Sequence, residues 1–293
     1  MTVGVPLLCL VATIAWWGGV GWDGPSVDLA VDARVLHGEP WLLLTGIFPH
    51  GDVIHLAFNL YWWFHFATQL ERHFGSTRLV LLTVLLGGFS SAVQLTFGVS
   101  SIGLSGVGYG LVGFWWARAR IDPIWRVVLD RDTTRLFVVW FFFCLVSTWL
   151  ELWPIGNAAH ASGALMGVLV GFATATASRS TRAGGRRAIA ASLIVTSGLV
   201  AAVGLSSFRH VISSGEGAGL CYLGTAALDA PADNTRAAAL LEDAARYRNV
   251  TPSCRFNLWI AYDRLGRADE AEAIRKALPD GPLKSQLDAW TAQ

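Results

Sequence analysis

Seven long apolar runs constrain the fold of this chain more than any other feature of its sequence. They cover about residues 3–21, 53–70, 78–98, 102–117, 136–153, 158–177 and 188–208. Only 15% of the 293 residues are charged, against roughly 25% in an ordinary soluble domain. Apolar runs of about 18 residues or more are typical of membrane-spanning helices. The sequence therefore predicts an all-α, polytopic membrane protein.

The charges between these runs predict how the chain is oriented. Connections 71–78, 118–135 and 179–187 carry more arginine than acid, whereas connection 22–52 carries five acids and one arginine. Because basic loops are retained on the cytoplasmic side, we expect the first three connections inside and the last one outside. With seven spans, the N-terminus is then cytoplasmic and the tail after residue 208 lies outside.

A serine between glycines stands at the start of the fourth run. The stretch 102–110 has the sequence Ile-Gly-Leu-Ser-Gly-Val-Gly-Tyr-Gly, and apolar residues follow it. Gly106 and Gly110 have the Gly-x-x-x-Gly spacing that lets two membrane helices approach closely. On its own, this pattern is more typical of helix packing than of chemistry at Ser105.

The sixth run supplies a matching stripe of small residues. Positions i, i+3, i+7 and i+11 of one helical face are His160, Gly163, Gly167 and Gly171. Packing this face against the fourth run would bring Ser105 and His160 together near the outer ends of their helices. An imidazole can take the proton of a serine hydroxyl and so activate it as a nucleophile. The only acid in the neighbouring runs is Glu151, at the very end of the fifth, so we expect a Ser–His dyad without a third carboxylate.

A second polar pair lies in the second run. His55 and Asn59 are four residues apart and share one helical face. Polar side chains inside a bilayer are costly and usually face the bundle interior, where they mark a site or bond within the core. Both side chains offer N–H donors, which suits stabilisation of an oxyanion. His50 lies at the outer edge and is a weaker candidate.

These motifs together resemble the rhomboid family of intramembrane serine proteases, over roughly residues 1–180. The residues that carry the resemblance are His55-x-x-x-Asn59, Gly103-Leu104-Ser105-Gly106, Ala159-His160-x-x-Gly163, Gly38-Glu39-Pro40-Trp41, and Glu71 followed by Gly75. The resemblance implies a six-helix core in which Ser105 is the nucleophile and His160 the general base. It implies that His55, Asn59, Gly103 and the Ser105 N–H bind the oxyanion, and that Tyr109 stacks on His160.

The chain departs from the family pattern in its outer loop. The family usually has Trp-Arg where this sequence has Trp41-Leu42, which puts the internal bonding of that loop in question. Rhombosortase-like relatives, which process C-terminal sorting tails, tend to carry a histidine shortly after the serine motif, and Tyr109 favours the general protease. An inactive rhomboid-like binding protein and a seven-helix transporter are further alternatives. The inactive protein is disfavoured by the presence of all four polar site residues, Ser105, His160, His55 and Asn59. The transporter is disfavoured because the spans contain almost no charge.

The residues after the last run differ in composition from the rest. They are mixed in charge and rich in Ala and Leu, and Tyr262–Ala271 resembles the turn region of a tetratricopeptide repeat. Cys221 and Cys254 are 33 residues apart, close to the repeat period of about 34. Equivalent positions in stacked helix pairs can be neighbours, and a disulfide is permitted outside the cell. The tail is then a small helical module, serving either as a passive cap or as a docking site.

The expected organisation is thus a membrane protease core over residues 1–180, an Arg-rich linker and seventh transmembrane helix over 181–208, and an external helical module over 209–293. Transmembrane proteins are the expected substrates, membrane lipid surrounds the core, and a protein that binds the module is a further expected partner. We expect no cofactor, no metal and no nucleic-acid partner, the net charge being only +1. The expected location is the inner membrane of a bacterial cell.

Overall fold

The computed structural model describes residues 1–18, 29–32, 34–35, 39–97, 100–150, 152–153, 155–177, 216–229, 232–247 and 250–291. Within these residues the fold is all-α, apart from an isolated β-bridge between Val31 and Ser101. The chain divides into two compact units, one of Met1–Val35 with Pro40–Ser207 and the other of Leu36–Glu39 with Phe208–Gln293. The seventh apolar run, 188–208, lies outside the described residues.

The first unit contains seven helices among its described residues. They are α1 (Gly4–Gly18), α2 (Leu42–Thr45), α3 (Val53–Phe74), α4 (Ser76–Thr96), α5 (Ser105–Ile121), α6 (Arg131–Trp149) and α7 (Asn157–Ala177). A short 3-10 turn, Pro123–Val127, joins α5 to α6. The one-turn helix α2 lies in the long connection after α1, and the other six helices coincide with the first six apolar runs.

Two of these helices, Ser76–Thr96 and Asn157–Ala175, are long and apolar enough to cross a membrane, and Gly4–Gly18 is a shorter apolar helix. The total of seven spans stays a prediction. Helix α6 carries large apolar side chains on its exposed surface, including Val139, Phe142 and Trp149. Such a surface is typical of a helix that faces lipid rather than water.

Helices α3, α4 and α5 enclose an aromatic core. Trp63, Phe66 and Trp115 are fully buried there, and the Trp115 indole N–H donates to the Phe66 carbonyl oxygen over 3.3 Å. Glu71, near the end of α3, accepts hydrogen bonds from the Thr2 N–H (2.8 Å) and the Thr2 hydroxyl, so the start of α1 is held against α3. Gly75 ends α3 at φ +86° and allows α4 to begin at once.

The second unit is a set of short helices. They are α8 (Glu216–Ala226), α9 (Asn234–Ala244), α10 (Pro252–Arg264), α11 (Ala268–Ala277) and α12 (Pro282–Thr291). Each helix packs on the next in sequence, and α8 also contacts α10. Gly266, at φ +70°, lies in the turn between α10 and α11, where the sequence predicts a repeat-like turn. The resemblance to a tetratricopeptide repeat stays a prediction.

Cys221 of α8 and Cys254 of α10 are joined as a disulfide, with their Cα atoms 5.5 Å apart. One turn further along, the Asn257 side-chain amide donates to the Thr225 hydroxyl over 2.8 Å. The two contacts lie on the same pair of helices, so α8 and α10 are held side by side at successive turns.

Candidate active site

The loop before α5 presents Ser105 at the first residue of the helix. Gly103 has φ +111°, a left-handed conformation that favours glycine because it has no Cβ. A Cβ on Gly103 would also lie 2.7 Å from His55 Cε1, so the imidazole packs directly over this residue. The sharp turn at Gly103 lets helix α5 begin at Ser105.

His160 lies in the first turn of α7 and faces Ser105. Its Nε2 is 2.9 Å from Ser105 Oγ, and the residue is only 5% exposed. The Tyr109 ring stacks on the imidazole with centroids 4.5 Å apart and planes inclined by 22°, which limits rotation of the imidazole. Ser105 and His160 therefore have the geometry of a hydroxyl next to its base.

His160 Nδ1 is buried and has no hydrogen-bond partner in the part of the chain that the structure describes. The Tyr109 hydroxyl is likewise enclosed without a partner there. No described carboxylate orients the imidazole, and the acid considered above, Glu151, lies outside the described residues. The stacked Tyr109 ring is thus the contact that orients His160 in place of an acid.

Glycines bring α5 and α7 close enough for this contact. A Cβ on Gly163 would overlap the carbonyl oxygen of Gly106, and one on Gly167 would overlap that of Gly110. Further along, a Cβ on Gly171 would lie 2.6 Å from the Phe114 carbonyl oxygen. The two backbones therefore touch over three turns, which aligns the N-terminal ends of both helices.

His55 and Asn59 lie on α3, on the side of Gly103. The Asp52 carboxylate caps this helix by accepting from the His55 backbone N–H over 2.8 Å. The Asn59 amide donates to the His55 carbonyl oxygen over 2.8 Å, and Asn59 is only 7% exposed. Since an amide NH₂ carries two hydrogens, Asn59 has one left for another acceptor.

The outer loop bonds to three of the residues just before Ser105. Val31 and Ser101 exchange two backbone hydrogen bonds of 3.0 Å, and the Gly103 N–H donates to the Gly46 carbonyl oxygen over 2.8 Å. The Leu104 N–H donates to His50 Nε2 over 3.3 Å. These bonds fix the turn that presents the serine hydroxyl.

His50 has a larger part in this loop than its position in the sequence indicates. It is completely buried, and its Nδ1 lies 2.9 Å from the Phe48 carbonyl oxygen. A carbonyl only accepts, so Nδ1 carries the hydrogen and Nε2 is free to accept from Leu104. The sequence feature that could have indicated this role is the position of His50 directly after Pro49 and five residues before His55, at the start of a helix.

Leu42, where the family usually has arginine, is fully buried. The outer loop instead contains a buried ion pair between Arg34 and Asp32, with Nη2 and Oδ2 2.9 Å apart. The Thr45 hydroxyl also donates to the Leu29 carbonyl oxygen over 3.1 Å. The loop thus has internal bonds of its own.

The start of α7 is anchored by two side chains of other helices. The Gln94 side-chain oxygen on α4 accepts from the Ala159 N–H over 3.0 Å. The Asn157 amide donates to the Thr148 hydroxyl of α6 over 2.8 Å. Both bonds lie within one turn of His160 and hold its helix end. The described residues contain no group of three or more His, Cys, Asp or Glu that could hold a metal ion.

Comparison with known proteins gives matches over this region. Residues 37–177 match the family described as Rhomboid domain. Rhomboid protease GlpG from Salmonella paratyphi A, from Salmonella newport and from Salmonella typhi are each 34% identical to this chain over 141 residues. Each match covers 47% of this chain and 50% of the relative. The chain spans about half the length of the curated relatives it matches.

Proposed function

We propose that the chain is a rhomboid-type intramembrane serine endopeptidase, because residues 37–177 match the family described as Rhomboid domain and the relatives named above are rhomboid proteases. It is an integral membrane protein with apolar helices long enough to cross a bilayer. Its substrates are transmembrane proteins, cut near the outer ends of their membrane segments. The observation that carries this proposal is the 2.9 Å contact between Ser105 Oγ and His160 Nε2.

The chemistry starts with proton transfer between these two atoms. His160 Nε2 accepts the hydroxyl proton while Ser105 Oγ attacks the scissile carbonyl carbon, giving a tetrahedral oxyanion. The imidazolium then passes the proton to the leaving amine, and an acyl-enzyme on Ser105 remains. A water molecule, deprotonated by the same imidazole, hydrolyses that ester and restores the serine. His160 needs Nε2 unprotonated at the outset, so the hydrogen is on Nδ1.

The oxyanion requires donors that are already in place before the reaction. His55 packs over Gly103, two residues from the nucleophile, and the second amide hydrogen of Asn59 is one helical turn away on the same face. The Ser105 backbone N–H, at the start of α5, points away from its own helix as all first-turn N–H groups do. These three groups form the oxyanion site.

The proposal is tested by cleavage of a membrane-anchored reporter in vesicles that contain the purified full-length chain. The expected result is a new fragment whose terminus maps to the outer part of the reporter's transmembrane segment. A fluorophosphonate, which reacts with activated serines, should label Ser105 and block cleavage. Binding of the reporter without any cleavage or labelling would instead favour the inactive rhomboid-like alternative.

His55→Ala and Asn59→Ala are each expected to lower the turnover number by about 10²–10³ with little change in KM, because each removes a donor that matters mainly in the transition state. Initial cleavage rates over a range of reporter concentrations separate the two parameters. His73→Ala, on the exposed end of the same helix, is the matched control and should be neutral. Undiminished turnover in both site variants would refute the oxyanion role.

We further propose that the protein lies in the inner membrane of a bacterial cell, with its N-terminus in the cytoplasm and residues 209–293 outside. The charge asymmetry of the connections supports this orientation. The core then covers residues 1–180 and a seventh transmembrane helix ends near residue 208. The external module is suited to docking a substrate or another protein, because stacked helix pairs present extended surfaces.

The disulfide and the orientation are tested by one thiol count. If Cys221 and Cys254 are bonded, the denatured protein should show two free thiols before reduction, those of Cys9 and Cys144, and four after it. Cys221→Ser should show three thiols without reduction. By the chain-entropy estimate, losing a loop closure of this length destabilises the module by about 3–4 kcal/mol. Four free thiols in the unreduced protein, isolated with its thiols blocked, would contradict the bond and the external placement.

A further inference from the structure

Arg118 is a largely buried charge that forms no direct ion pair among the described residues, and the Asp122 carboxylate four residues on acts on it only at longer range. It lies near the end of α5, is only 8% exposed, and its Nε is buried without a hydrogen-bond partner in the part of the chain that the structure describes. Its guanidinium lies over two aromatic rings, 5.0 Å from the centroid of Phe74 and 5.4 Å from that of Trp125. Stacking on aromatic faces stabilises the cation, but it leaves the N–H donors unused.

The acid nearest in sequence is already engaged elsewhere. The Asp122 carboxylate accepts from the Ile124 N–H over 3.3 Å and so caps the 3-10 turn. Glu71, at the same end of the bundle, accepts from Thr2 and Ser76. A guanidinium held between two rings with no anion in direct contact keeps its terminal N–H donors free for a ligand from outside the chain.

The terminal guanidinium nitrogens are the atoms open to such a ligand. Of the three guanidinium nitrogens, only Nε is both fully enclosed and without a partner. The terminal nitrogens are therefore not fully enclosed and can be reached from outside the chain. A guanidinium offers parallel N–H donors that fit two oxygens of one phosphate. The surroundings are basic as well, with Arg120 and Arg126 nearby in sequence.

We propose that Arg118, walled by Phe74 and Trp125, binds a phosphate group at the membrane face opposite the Ser105–His160 site. Arg118 is 13 residues after Ser105, about 20 Å along the helix axis, so the two sites lie near opposite faces of the bilayer. Arginine-rich faces of membrane proteins meet anionic lipid headgroups. The phosphate comes from such a lipid or from free phosphate in solution.

The test uses the purified full-length chain in a maltoside detergent, which contains no phosphate. Phosphatidylglycerol or inorganic phosphate is then added, with diacylglycerol as a lipid that lacks the phosphate. Bound lipid is counted by native mass spectrometry, and Tm is followed in parallel. We expect phosphatidylglycerol to be retained and to raise Tm, and diacylglycerol to do neither. A rise with inorganic phosphate as well would identify free phosphate as a second source.

Two arginine variants separate a specific site from general attraction. Arg118→Gln should weaken phosphatidylglycerol binding by more than tenfold, whereas Arg126→Gln removes the same charge from an exposed position in the adjoining turn and should cost at most about fivefold. Arg118→Lys keeps the charge but not the paired donors, so it should fold and bind at an intermediate level. Equal losses in Arg118→Gln and Arg126→Gln, or no response of the wild type to either phosphate source, would overturn the proposal.

Discussion

Ser105→Ala and His160→Ala are each expected to reduce cleavage of a transmembrane reporter to background, a loss of at least about 10³–10⁴ in the turnover number. The reason is the single contact between Ser105 Oγ and His160 Nε2, 2.9 Å long. Without the hydroxyl there is no nucleophile, and without the imidazole the hydroxyl keeps its proton. Because the two groups act as one unit, the double variant should be no slower than either single variant.

The measurement is the initial rate of reporter cleavage in vesicles that contain equal amounts of folded protein. Ser162→Ala is the matched control, since its hydroxyl donates to the Ala158 carbonyl oxygen of its own helix over 2.6 Å. That variant should cleave at the wild-type rate. Labelling by a fluorophosphonate should disappear in Ser105→Ala and persist in Ser162→Ala. Cleavage by both dyad variants at wild-type rates would end the serine-protease proposal.

Gly167→Ala is expected to destabilise the membrane unit by about 3 kcal/mol, near the upper end for overpacking of a close contact. The added Cβ would overlap the Gly110 carbonyl oxygen and lie 2.9 Å from the Phe114 backbone nitrogen. These atoms belong to the backbone of α5 and cannot rotate out of the way as a side chain could. The added methyl group therefore pushes α7 away from α5. His160 sits two turns along the same helix, so its distance from Ser105 should grow and cleavage should fall as well.

Gly108→Ala is the control for this substitution, because a Cβ there would meet nothing within 4 Å. The replacement in a helix should be neutral or slightly stabilising. Thermal unfolding in detergent and the cleavage rate at a temperature where both variants are folded measure the two effects separately. A Tm for Gly167→Ala equal to that of Gly108→Ala would show that the two backbones are not in contact at this position.

Local patterns in the sequence predicted much of the Ser105–His160 site. The apolar runs predicted helices, and six of the seven predicted runs coincide with helices in the described residues. The spacing of Gly163 and Gly167 predicted a helix face flat enough to meet Gly106 and Gly110. A periodic pattern reports which side chains share a face, and a face of glycines has few partners that it can fit. The pairing of Ser105 with His160 could therefore be predicted from the sequence alone.

The hydrogen bonds that fix the turn before Ser105 could not be predicted in the same way. In one of them the Gly46 carbonyl oxygen accepts from the Gly103 N–H, and in the other His50 Nε2 accepts from the Leu104 N–H. The first bond joins two backbone groups, which every residue possesses, so no side-chain pattern announces it. The second needs the tautomer of His50, which the Phe48 carbonyl oxygen selects.

Arg118, at the other end of α5, shows the same difference between what the sequence predicts and what the tertiary structure determines. By itself, the sequence determined that an arginine stands among other basic residues at the end of an apolar run, which predicts the side of the membrane. Only the tertiary structure decided that its guanidinium lies over the rings of Phe74 and Trp125. Burial and pairing depend on which distant residues arrive at one place. Sequence periodicity sets the faces of the helices, whereas the packed chain sets the neighbours of each polar group.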